Sequence, residues 1–210
     1  MCRRLPALDL EFERVELPDG DFLDLAWTDT TTGKIVLVLH GLEGSYLSAY
    51  AQAILTALHR SGYRAVLMNF RGCSGLPNRL DRSYHSGDTA DAAYITKHIK
   101  QRTGQGLFAA IGYSLGGNVL LKWLGESGTS PPITIAAAIS VPFELAACAT
   151  RLNQGFSRFY QWWLLRSMKK KYRKKFISRR SPVKIRDCLL YTSDAADDTP
   201  CVDLGGRRII

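Results

Sequence analysis

Residues 106–124, GLFAAIGYSLGGNVLLKWL, decide the fold. Leu107 to Ile111 make a short continuous apolar run of the kind carried by a strand buried on both faces. Gly112, Tyr113, Ser114, Leu115 and Gly116 then read as a tight turn, and Val119, Leu120, Trp123 and Leu124 recur at helical spacing. The spacing predicts strand, sharp turn and helix with Ser114 at the apex. Such a turn presents a serine hydroxyl, while Gly112 and Gly116 let neighbouring backbone pass without a Cβ clash. The helix amino end behind the serine favours developing negative charge. An incidental serine in a glycine-rich turn is the bland alternative; the flanking strand and helix favour a nucleophile.

Working outward, KIVLVLHG (34–41), RAVLMNFRG (64–72) and ITIAAAIS (133–140) are further apolar runs, each ending in glycine or serine. Helical stretches lie between the strand-like runs at 46–60, where Ile54, Leu55 and Leu58 share a side, at 88–101 and at 118–126. Alternation of this kind predicts an α/β fold: a mostly parallel sheet with right-handed crossovers and helices on both faces. Ahead of it, residues 11–28 place two alternating stretches around Pro18-Asp19-Gly20, the pattern of an antiparallel hairpin.

In a parallel sheet the ligand site lies beyond the carboxyl ends of the strands. His40-Gly41-Leu42-Glu43-Gly44-Ser45 opens the loop at that edge after the run 35–39. Acyl transfer at a serine needs two backbone N–H donors for an oxyanion, and we assign them to Leu42 and to Leu115, just after the serine. Gly41 permits a tight approach. His40 is read as a brace for the loop.

From Pro142 the alternation stops. We expect one domain: residues 1–141 as the amino-terminal part of the core, 142–187 as a helical cap segment rich in aromatics and bases, and 188–210 as a tail. Residues 145–186 carry thirteen Lys and Arg and no Asp or Glu, leaving fifteen basic against nineteen acidic residues elsewhere. The net charge of +9 is thus one local feature, and no nucleic-acid motif accompanies it. The segment reads either as an interfacial helix against anionic lipid or as a solvated cap surface. Five scattered cysteines lack metal spacing and read as free thiols, with no metal and no cofactor. The apolar share of 46% is that of a globular domain, and no apolar run reaches the roughly 18 residues of a membrane span. We expect a cytosolic protein.

Four ordered motifs, HGLEGS (40–45), NFRGCSGLPNR (69–79), YHSGDTAD (84–91) and GYSLGGNVLLKWL (112–124), resemble the YheT-like branch of the α/β-hydrolase superfamily over about residues 11–187. The resemblance implies a Ser-Asp-His triad acting on carboxylic esters, as a short-chain esterase or acylglycerol lipase, with Ser114 as nucleophile. Tyr84 and His85 match a motif expected to fix a loop beneath the cap. His59 and His98 are expected on helix surfaces without a chemical role.

That resemblance exposes a gap, because the family places its Asp and then its His after later strands and no histidine follows Ser114 here. One reading is that chain is missing at both ends: Met1 is an internal start, native sequence stops near Cys188, and the remainder resembles adaptor read-through. The chain itself would then be nearly inert and poorly soluble. The other is a rewired triad using His40 or His85 with Asp194, Asp197 or Asp198. Three classes of function follow: hydrolysis of an ester or monoacylglycerol, which leads; acyl transfer to an alcohol; and non-enzymatic binding to membrane or nucleic acid.

Overall fold

The computed structural model describes residues 8–29 and 32–182. The tail expected over 188–210 lies outside them, as do Cys2, Cys188 and Cys201.

The hairpin forms as expected, from β1 (Leu10–Glu16) and β2 (Phe22–Thr28). Gly20 sits at φ 82° and closes the turn through its N–H to the Leu17 carbonyl at 3.0 Å. Strand β1 is an edge, and its Glu11, Glu13, Arg14 and Glu16 place charges on that edge, which disfavours further strand pairing. Strands β3 (Ile35–Leu39), β4 (Arg64–Asn69), β5 (Leu107–Tyr113) and β6 (Ile135–Ile139) follow, with helices α1 (Ala49–Arg60), α2 (Ala90–Thr103) and α3 (Leu115–Ser127) interposed. The sheet order is β1-β2-β4-β3-β5-β6, antiparallel through β2 and β4 and parallel from β4 to β6.

Although β3 and β4 are apolar throughout, their side chains divide by the two-residue period of a strand. Ile35, Leu37, Leu39, Val66 and Met68 join the core under α2 and α3, with Ile95, Ile99, Val119, Leu120 and Trp123. Val38, Ala65 and Leu67 face the opposite way and pack with Ala51 and Leu55 of α1. Each fully buried Leu, Ile or Met contributes roughly 1.5–3 kcal/mol.

Strand β6 departs from the expectation of burial on both faces: Ile135 and Ile139 are exposed. It pairs only with β5, so one edge is unpartnered among the described residues. The chain then forms α4 (Leu145–Leu152) and α5 (Ser157–Lys175).

Helix α1 leaves β3 on one face of the sheet, whereas α3 leaves β5 on the other, and β3 and β5 are neighbours. Chain diverging to opposite faces from adjacent parallel strands opens a crevice at their carboxyl ends. Both motif loops, after Leu39 and after Tyr113, start there.

Candidate active site

Ser114 stands between the end of β5 and the start of α3 with φ 50° and ψ −117°, a conformation that a non-glycine residue holds only when its surroundings impose it. They do so from both sides. The Ser114 N–H donates to the Ile139 carbonyl at 2.8 Å, and the Ser114 carbonyl accepts from Gly117 and Asn118 at 2.9 and 3.2 Å. A Cβ at Gly112 would lie 2.5 Å from the Gly116 carbonyl oxygen, and one at Gly116 would lie 2.5 Å from the carbonyl oxygens of both Leu39 and His40. The first turn of α3 therefore rests directly on the end of β3. Gly117, which the serine motif does not single out, is crowded too, by the Val141 side chain at 2.5 Å rather than by backbone.

The loop after β3 comes to the serine. A Cβ at Gly41 would stand 3.3 Å from the Ser114 Cβ. The Gly41 N–H donates to the Tyr50 hydroxyl at 2.8 Å, and its carbonyl accepts from Gly44 at 2.9 Å. His40 is fully buried. Its Nε2 accepts the Phe70 N–H at 3.0 Å, so the ring proton is on Nδ1, which donates to the Gly41 carbonyl at 2.7 Å. Burial drives the imidazole pKa down to about 4. His40 is thus a neutral brace with no nitrogen left for Ser114. Because a trans peptide sets C=O and N–H on opposite sides, the Leu42 N–H points away from His40. Among the described residues neither the Leu42 nor the Leu115 amide has a hydrogen-bond acceptor.

Glu43 follows at φ 59° with its side chain only 4% exposed. The Tyr84 hydroxyl accepts the Glu43 N–H at 2.9 Å and donates to Oε1 at 3.2 Å. From α5, Ser167 Oγ donates to Oε2 at 2.6 Å and Lys171 Nζ lies 3.2 Å away. The same ammonium reaches Cys73 Sγ at 3.2 Å. Burial pushes the Tyr84 phenol and the Cys73 thiol up. Burial alone would lower Lys171, but Cys73 and Glu43 outweigh it and hold its pKa above the ordinary value. The Tyr84 ring stacks on Phe70 at 5.1 Å. Tyr84 therefore shapes the loop carrying Leu42, while His85 closes its own turn by accepting the Gly87 N–H at 3.1 Å.

The remaining motif residues build a buried ionic knot. Arg71 binds Asp91 in bidentate fashion at 2.6 and 2.7 Å, Asp21 at 3.0 Å and Asp19 at 2.8 Å, and Asn78 donates to Asp21 at 2.7 Å. Cysteines 73 and 148 are free, and no group of three His, Cys, Asp or Glu among the described residues could hold a metal ion. His98 and His59 sit on helices as expected but are not idle: they pair with Glu13 at 2.7 Å and Asp29 at 3.3 Å.

Several cations of the basic segment are engaged by backbone carbonyls. Lys174 Nζ donates to the Gly75 carbonyl at 2.6 Å, Lys175 to those of Asp81 and Arg82 at 2.9 and 2.6 Å, and Arg179 to that of Asn78 at 3.1 Å. With Lys171, these cations tie α5 and the residues just after it to the loop between β4 and α2. Carbonyl oxygens carry no side-chain signature, so charge counting along the sequence did not reveal this.

A family model described as the alpha/beta hydrolase fold matches residues 34–183. The chain belongs to the α/β-hydrolase fold family. This α/β-hydrolase chain is 45% identical over 162 residues to YheT of Escherichia coli (strain K12), a protein named as an esterase, covering 75% of this chain and 48% of YheT. It is 28% identical to the phospholipase ABHD3 of Mus musculus, over 83% of this chain and 46% of that protein. It is 30% identical to the medium-chain fatty acid ethyl ester synthase/esterase 2 of Saccharomyces cerevisiae, over 89% and 39%. The chain thus spans about half the length of the curated relatives it matches or less. A crystal structure of the Pyrococcus furiosus esterase Pf2001 shares the α/β-hydrolase fold at a TM-score of 0.60 and 23% identity, covering 77% of this chain and 61% of that one.

Proposed function

We propose that Ser114 is the nucleophile of a carboxylic-ester hydrolase. The observation that carries this is the strained turn at φ 50° with the Gly41 loop packed against the serine's own Cβ. The Ser114 hydroxyl attacks the ester carbonyl, and the Leu42 and Leu115 amides hold the oxyanion. The proton passes to a base and then to the departing alkoxide, and water releases the acid. The substrate is an ester or monoacylglycerol of short to medium chain length.

His40 is braced through both ring nitrogens, His59 lies in the last turn of α1 at the opposite end from the β3 loop, His98 is held against Glu13 of the edge strand β1, and His85 Nδ1 closes its own turn. We infer that the base is a histidine additional to these four, and that the 210-residue chain alone turns over slowly. Losing a triad member costs on the order of 10⁴–10⁶ in rate. A chimera joining residues 1–182 to the remaining length of Escherichia coli YheT tests the assignment. It should hydrolyse p-nitrophenyl butyrate and lose that activity on Ser114→Ala; a Ser114→Ala chimera with undiminished turnover sinks it.

The relationship to the yeast ethyl ester synthase/esterase favours a second reading, transfer of the acyl group to an alcohol. Ethanol added to the same assay separates the two by product: free acid, or ethyl ester.

A further inference from the structure

Helix α5 has two unlike sides. Inward it buries Leu164 and Lys175 and sets the Lys171 ammonium against Cys73 and Glu43. Outward runs an aromatic ridge: Phe156 packs on Phe159 at 6.0 Å, Phe159 on Trp162 at 5.9 Å, and the Arg166 guanidinium lies over Trp162 at 5.6 Å. Phe156 is 88%, Phe159 61%, Trp162 53% and Trp163 50% exposed. Apolar surface of this extent is costly in water and marks an interaction face.

The charge on that face is of one sign. Residues 145–182 contain no Asp or Glu. Among the described residues no carboxylate lies within ion-pair distance of Arg158, Arg166, Lys170 or Arg173, although the inward cations of the same helix are partnered. No helix of the described residues is long and apolar enough to cross a membrane, so the ridge suits a surface rather than a span.

We propose that the outward ridge of α5 docks on an anionic lipid bilayer. Trp162 and Trp163 sit at headgroup depth, Phe156 and Phe159 reach the acyl boundary, and Arg158, Arg166, Lys170 and Arg173 face the lipid phosphates. The occupant is set by complementarity, since cations with no ion-pair partner among the described residues, beside exposed aromatics, match an apolar layer rimmed with negative charge. Docking makes no use of the Ser114 hydroxyl.

Flotation of the 210-residue chain with vesicles of phosphatidylcholine, alone or mixed with phosphatidylglycerol, tests this directly. Binding should be at least about tenfold stronger to the mixed vesicles. Brominated acyl chains should quench tryptophan emission, a readout selective for Trp162 and Trp163 because Trp27 and Trp123 are buried in the core. Arg166→Glu/Lys170→Glu should remove the anionic preference, Trp162→Ala/Trp163→Ala should remove the quenching, and Ser114→Ala should float like the parent. Equal binding to both vesicles, or none, overturns the proposal. So does binding to single-stranded RNA as tight as to anionic vesicles with no bromine quenching, which would make the ridge a general polyanion surface. Self-association that Trp162→Ala/Trp163→Ala abolishes and that vesicles fail to compete away also overturns it, in favour of a second copy as occupant.

Discussion

Lys171 Nζ lies 3.2 Å from Glu43 Oε2, so the amine of α5 is seated on the loop that packs against Ser114. Glu43 immediately follows Leu42, and its carboxylate is held by Tyr84 on one side and by Ser167 and Lys171 of α5 on the other. Helix α5 and the loop after β3 thus share one buried carboxylate.

Replacing Lys171 by Met should therefore loosen both. It leaves a buried carboxylate with neutral partners only, at a cost of about 1–3 kcal/mol. Faster amide hydrogen exchange in α5 together with residues 41–45 is the expected result, and acceleration confined to α5 would show that the two are not coupled.

Arg71→Met should be more damaging. Arg71 is the shared partner of Asp21 and Asp91, both buried, and removing it strands them. Breaking a buried pair in this way costs about 3–5 kcal/mol, which denaturant unfolding will read as a fall in midpoint. A midpoint unchanged from the parent would rule out this role for Arg71.

Two glycines of α3 should respond in opposite directions. Gly116→Ala drives a Cβ into two carbonyl oxygens at 2.5 Å and should destabilise by about 1–3 kcal/mol or more. Gly125 has nothing within 4 Å of its Cβ position, so Gly125→Ala should stabilise by about 0.5–1 kcal/mol. Thermal melts of the pair compare like with like.

Stability should fall on acidification through His40. Its folded pKa of about 4 lies below the ordinary value of 6.5, so between these limits the unfolded chain binds the extra proton. The contribution is complete above pH 6.5 and is lost as pH falls to about 4, reaching about 3 kcal/mol. Unfolding curves across that window should steepen in pH dependence for the parent relative to His40→Gln. Identical slopes would show that His40 is not held neutral.

Much of the fold was legible. The hairpin, the parallel strands and the strand–turn–helix at Ser114 all follow from local periodicity and glycine placement, and the loop after β3 was anticipated beside the serine. Helix limits were less so: α2 begins at Ala90 and α3 at Leu115, because the turn at Ser114 passes straight into helix. Glu43 and Arg71 stood inside recognised motifs, yet their tasks did not show. Nothing in HGLEGS says that the glutamate points into protein, nor in NFRG that the arginine is buried.

By itself, then, the sequence determined what repeats within a few residues: the order of strands and helices, the apex position of Ser114, the positive charge of 145–186 and the absence of any histidine after the serine. Only the tertiary structure decided which charges are held inside the protein and which are exposed among the described residues. Arg71 meets Asp21 across 50 positions and Glu43 meets Ser167 across 124, and such pairs exist only once sheet order and crossover have brought distant loops to one edge. Along α5 the same residue type, lysine, is a buried strut at position 175 and an exposed charge at position 170, because one side of the helix faces backbone carbonyls and the other faces water.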